Sequence, residues 1–280
     1  MTVTHPPQDA VDPANRVPRR PADLFAEALS AAAPRLALRT AQGTLLPLDV
    51  HRWCSEAAGA DQPLLDRCRG PVLDVGCGPG RLVAALARRG TEVLGVDVTP
   101  SAGALARAAG ATVLTASVFE ALPGEGRWGT VILADGSIGI GGDPLTLLRR
   151  VRRLLDPSGL LLLEVEPHET HERLTVRLED GEGECSAPFP WARLGPGAGR
   201  QVALRAGLRL REQWSAGGRR FLTLTPTTGD EQEPLTASLD DYAGVRTGRR
   251  PGGDDGAPSS TTDPAAVVPA AGRASKGRTR

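Results

Sequence analysis

Within the stretch VLDVGCGPGRLVAALARRG, residues 72–90, an acid and three glycines recur at every second position: Asp74, Gly76, Gly78 and Gly80. An apolar run of strand type precedes them and a helical pattern follows, so the glycines fall on the turn between the two. Glycine has no Cβ to hold a ligand away from the backbone. A helix starting at such a turn directs its unpaired N–H groups at negative charge. The chemistry expected is therefore the binding of a nucleotide-like cofactor. A dinucleotide fingerprint requires a third glycine at the position that Arg81 occupies. Further reactive groups lie downstream. Asp97 ends the run TEVLGVD and Asp135 ends GTVILAD, at strand ends where open sheets bind ligands. His168 and His171 follow the run GLLLLEV, at whose end Glu164 and Glu166 alternate with apolar neighbours. His51 precedes the glycine turn.

The elements that would position these groups alternate along the chain. Short apolar runs at 71–75, 91–97, 111–117, 129–135 and 159–165 suit strands buried on both faces of a parallel sheet. Helical patterns separate them, the one after the fourth run opening on Asp143-Pro144, a capping residue and a first-turn proline. A last helix near RQVALRAGL precedes two strand-like runs joined by Gly217-Gly218, which read as a hairpin. The fold class expected is α/β: a doubly wound, mostly parallel seven-stranded sheet ending in an antiparallel C-terminal hairpin strand.

Four regions are expected. Residues 1–20 and 227–280 read as disordered, the latter rich in Gly, Pro, Ser, Thr and Asp without an apolar face. Residues 21–64 read as a cap of one helix and a hairpin over the cofactor site. Residues 65–226 read as the cofactor-binding domain, with 167–197 a substrate-side insertion forming a strand pair. Phe189 and Trp191 in that insertion are read as packing residues.

Composition bounds the class. The 33 basic and 33 acidic residues cancel, and Lys276 is the only lysine, so nothing suggests a nucleic-acid or membrane surface. The four cysteines form no C-x-x-C pair, no metal site is expected, and the thiols fit a cytoplasmic protein. Cys77, between two glycines, reads as a small packing residue rather than a nucleophile.

The D-x-G-x-G-x-G turn in LDVGCGPGR, with Asp97 after the second strand, resembles the first motifs of class I S-adenosylmethionine-dependent methyltransferases. DGSIGIGGDP and PFPWARLG resemble an actinobacterial group within them. The resemblance covers about 65–226 and implies S-adenosylmethionine as cofactor and a small-molecule methyl acceptor. It implies that Asp74 meets the ammonium end of the cofactor, that Asp97 accepts both ribose hydroxyls and that Ser117, Val118 and Phe119 flank adenine. With them, Gly76, Cys77, Gly78, Gly80, Val98, Asp135 and Gly136 complete the implied cofactor contacts. No catalytic base is evident; His168, Asp135 and His51 are the candidates, the histidines being read first as solvated. Two alternatives stay open: a Rossmann-type nicotinamide-dependent oxidoreductase, and a non-catalytic cofactor-binding regulatory or scaffold domain.

Overall fold

The computed structural model describes residues 18–31 and 35–227. The disorder expected over 227–280 falls, apart from Thr227, outside them, as does that over 1–17. Arg19, inside the stretch expected to be disordered, bridges to Ser186 and pairs with Glu27.

The N-terminal part comprises α1 (Pro21–Ser30), β1 (Leu36–Thr40), β2 (Leu45–Leu48) and two short helices, α2 (Val50–Cys54) and α3 (Asp61–Asp66). The central part runs β3 (Val72–Val75), α4 (Arg81–Arg88), β4 (Val93–Asp97), α5 (Pro100–Ala108), β5 (Val113–Thr115) and β6 (Trp128–Leu133), then α6 (Pro144–Leu154) and β7 (Leu155–Val165). After β8 (His171–Asp180) and β9 (Phe189–Leu194) come α7 (Pro196–Arg205), β10 (Leu208–Ala216) and β11 (Arg219–Pro226).

Seven strands form one sheet in the order β10-β11-β7-β6-β3-β4-β5. Those from β7 to β5 are parallel, and β11 and β10 are antiparallel, as the hairpin predicts. The apolar runs are continuous because helices cover both faces. Leu73, Val75, Val131, Leu133, Leu161 and Leu163 pack beneath Leu147, Leu148, Val151 and Leu154 of α6. The alternate positions Val72, Ile132 and Leu162 pack with Leu82 and Leu86 of α4 and Leu64 of α3. Each such leucine contributes about 1.5–3 kcal/mol by leaving water. Asp143 caps α6 as expected, its Oδ1 accepting from the N–H of Leu145 at 3.1 Å.

The cap and the insertion are not separate pieces. β1 pairs with β8 from Leu36↔Asp180 to Thr40↔Val176, giving a second, antiparallel sheet in the order β2-β1-β8-β9. The physical reason is shared burial. Leu36 and Leu38 alternate inward with Val176 and Leu178 and pack against Leu24 and Ala28 of α1. The insertion is thus a strand pair as expected, and the boundary expected at residue 64 separates strands of one sheet.

Candidate functional site

The strand order of the large sheet reverses at β3: β4 and β5 lie on one side, β6 and β7 on the other. Ligands of open α/β sheets bind at the carboxyl ends of the strands beside such a reversal. The glycine turn leaves β3 there. Gly76, Gly78 and Gly80 have φ of 72°, 51° and 82°, a region that costs other residues energy. A Cβ on Gly76 would lie 2.7 Å from Ser137 Oγ, and one on Gly80 2.7 Å from Ala106 Cβ. Around a Cβ on Gly78 there is nothing within 4 Å, so this part of the turn presents bare backbone to open space. Asp97, at the end of β4, braces the turn: Gly78 N donates to its Oδ2 at 3.0 Å, and Thr99 N to its Oδ1 at 2.8 Å.

Asp74 is buried, and its carboxylate accepts no hydrogen bond among the described residues. Burial pushes its pKa up to about 7; Arg81 opposes the shift, and the charges of Asp135 and Asp97 reinforce it. Burial likewise raises the Cys77 thiol, which packs with Val83 and Ala106, as a small packing residue should. Val98 and Phe119 are large apolar side chains that remain 64% and 43% exposed beside the turn's end of the sheet. Ser117 shapes the loop that carries Phe119, whose N–H donates to Ser117 Oγ at 3.2 Å. Val118, by contrast, buries its side chain in the main core.

These residues fit a nucleoside bearing an amino-acid tail. There is a bare backbone cradle, a carboxylate at the end of the second parallel strand and a pair of exposed apolar faces. A buried carboxylate without a hydrogen-bond donor adds a place for a cation.

Beside this region lies a cavity of about 290 Å³. Leu38, Leu46 and Leu48 of the small sheet, with Trp53 and Trp191, form its apolar side. Arg52, Asp135, Glu164, Glu166 and Arg193 form the charged side. Trp191 therefore both packs, edge-on to Phe189 at 6.2 Å, and lines the cavity, which goes beyond the packing role expected.

Asp135 is the junction of that charged side. Its φ of 56° is the only positive value on a non-glycine residue among those described. Asp tolerates this conformation better than most residues, and strain of this kind gathers at functional sites. Its carboxylate pairs with Arg52, Arg81 and Arg219, and its N–H donates to Glu164 Oε2 at 2.6 Å. Arg81 also pairs with Asp61, and Arg219 holds both Asp61 and Glu164. Burial opposes ionisation of Asp61, but the hydrogen bonds and charges of Arg81 and Arg219 outweigh it and hold its carboxyl below the ordinary value. The site residues that sequence reasoning missed are these arginines and Asp61.

Neither His51 nor His168 reaches the cavity. Both are exposed, His51 on the outer side of α2 and His168 in the turn after β7. Polar residues on short exposed segments face water unless a partner holds them inward, and among the described residues no ion pair holds either one. Gly136, with φ of 88°, does line the cavity, next to Asp135. No group of side chains suited to a metal ion occurs among the described residues.

Comparison with known proteins bears on this site directly. A family model described as a methyltransferase domain matches residues 72–159, from β3 into β7 and across the glycine turn, Asp97 and Asp135. Over these residues the chain is similar to methyltransferase domains. Among curated relatives, a ubiquinone biosynthesis O-methyltransferase of Cereibacter sphaeroides is 38% identical over 96 residues, 32% of this chain and 39% of that protein. One of Roseobacter denitrificans is 35% identical over 94 residues, 32% of this chain and 38% of that protein. The chain thus spans about two fifths of the length of these relatives. A methyltransferase from Bacteroides fragilis, solved in complex with S-adenosyl-L-homocysteine, covers 75% of this chain and 96% of its own. Its TM-score is 0.63 at 19% identity, a likeness of fold. No described helix of the chain is long and apolar enough to cross a membrane.

Proposed function

We propose that this chain transfers the methyl group of S-adenosylmethionine to a small-molecule acceptor, in the cytoplasm. The observation that carries the reading is the Asp74–Gly80 turn at the strand-order reversal, braced by Asp97 through Gly78 N. On this reading Asp74 takes the cationic amino-acid end of the cofactor and Asp97 the ribose, while Val98 and Phe119 flank the adenine. When bound, the cofactor supplies a methyl group already activated by its sulfonium. The chain's own work is alignment and exclusion of water, and positioning of this kind contributes ~7–11 kcal/mol of a barrier.

The acceptor belongs in the cavity. It is bounded on one side by Asp135 and Gly136, the residues that follow β6, and on the other by the small sheet. Its apolar side suits a ring or short aliphatic body, and its charged side orients polar substituents. Asp135 is spoken for by three guanidinium groups, and Glu166 by Arg193 at 2.9 Å, so both hold the wall in shape rather than stand ready to take a proton. A Rossmann-type oxidoreductase is disfavoured, because Arg81 stands where its third glycine is required.

The test is turnover. The protein is incubated with S-adenosylmethionine and fractions of small-molecule extract, and S-adenosylhomocysteine is measured by mass spectrometry. Its formation above the protein-free blank supports methyl transfer. Its absence across all fractions, in a protein that binds the cofactor, favours a non-catalytic binding domain instead.

A further inference from the structure

Arg150 is buried in the middle of α6, and the cofactor contacts above do not include it. Its Nε donates to the carbonyl of Val118 at 2.8 Å, and its Nη2 donates to the carbonyl of Glu120 at 2.6 Å. The same Nη2 reaches Glu125 Oε1 at 2.6 Å. Glu125 in turn accepts from Leu122 N at 3.1 Å. The hydrogen bond from Arg150, with that from Leu122, holds the Glu125 carboxyl down at about 2. One guanidinium therefore grips the loop after β5 on both sides of Phe119 and ties it to the next turn.

The loop is otherwise held by the burial of Val118 and Leu122 in the main core and by local hydrogen bonds. Glu120 N donates to Ser117 O at 3.1 Å and Ser117 N to Glu120 Oε2 at 3.3 Å, which define a turn but not its orientation on the sheet. Val118 points inward to the core, and the Phe119 ring stays exposed. A Cβ on Gly141 would come within 3.0 Å of that ring, so the glycine leaves room for it. The two carbonyls that Arg150 binds belong to the residues immediately before and after Phe119, so they set the direction in which that ring projects.

We propose that Arg150 is a positioning residue for the cofactor: it acts through the loop backbone to hold Phe119 as a wall of the nucleoside site. The inference rests on the reading of that site as an S-adenosylmethionine site. Lysine keeps the charge but cannot span two carbonyls and a carboxylate with one planar fork. Losing charged hydrogen bonds of this kind weakens a dependent interaction about tenfold or more.

The experiment is a calorimetric titration of S-adenosylhomocysteine into the full chain and into Arg150→Lys, Phe119→Ala and the double variant. Arg150→Lys is expected to raise the dissociation constant about tenfold. The double variant is expected to bind no more weakly than Phe119→Ala alone, because both changes remove the same wall. Multiplied losses in the double variant mean a general structural role and overturn the proposal, as does unchanged binding by Arg150→Lys. Failure of the unaltered chain to bind overturns the cofactor reading itself. If Arg150→Lys does not fold, Glu125→Gln replaces it in the same cycle. A several-fold loss that disappears in the Phe119→Ala background supports the proposal, and unchanged binding overturns it.

Discussion

Arg81, the first residue of α4, forms an ion pair with Asp135, which lies two residues beyond the end of β6. The pair joins the helix that begins at the glycine turn to the wall of the cavity. Both side chains are largely removed from water, at 4% and 16% exposure. The glycine-turn helix and the cavity wall are therefore one electrostatic unit, with Asp61, Arg219, Glu164 and Arg52 completing it.

Removing one partner from such a network leaves buried charge uncompensated. Asp135→Ala deprives three arginines of a shared carboxylate and is expected to destabilise the fold by about 3–5 kcal/mol. Urea unfolding of the two proteins gives the difference. A loss below about 1 kcal/mol, the size for an exposed pair, contradicts the burial argument.

Asp97→Ala removes the brace of the glycine turn and the carboxylate assigned to the ribose. Cofactor affinity is expected to fall by about 1–3 kcal/mol, roughly five- to 150-fold. Calorimetric titration with S-adenosylhomocysteine measures it, and unchanged affinity removes Asp97 from the site.

Much of this was legible beforehand, for local reasons. Both-face burial made the strands continuous apolar runs. Gly76, Gly78 and Gly80 marked a turn that requires positive φ, and Asp143-Pro144 marked the start of α6. The ion network was not legible. Arg52, Arg81 and Arg219 meet Asp135 across sequence separations of 83, 54 and 84 residues, and one arginine among many carries no local signal of its partner. For the same reason the pairing of β1 with β8, and with it the cavity, emerges only in three dimensions. The two short helices α2 and α3 lack the length over which a helical period declares itself.

The Asp74 carboxyl, raised to about 7, predicts a pH dependence of cofactor binding. Below that pH the free protein holds Asp74 protonated, whereas the ammonium of the cofactor favours the carboxylate. Binding must then expel a proton, so affinity falls as pH falls through about 7, by up to about tenfold per unit. Titrations from pH 5.5 to 8.5 check the slope. Asp74→Asn is expected to flatten it, and a slope that survives the substitution assigns the proton elsewhere.

At Thr227 the described fold closes: its N–H and its hydroxyl both donate to the carbonyl of Gly207, at 3.0 and 3.2 Å. A chain ended after Thr227 is expected to keep its thermal midpoint and its cofactor affinity. A drop of more than about 2–4 °C, which corresponds to about 1 kcal/mol in a domain of this size, shows that residues beyond it support the fold.

The central claim is the identity of the cofactor, and calorimetry tests it most directly. The purified chain is titrated separately with S-adenosylmethionine, S-adenosylhomocysteine and NAD(H). Micromolar binding of the first two, about −8 kcal/mol, with no heat from NAD(H), is the predicted result. Binding of NAD(H) alone contradicts the account.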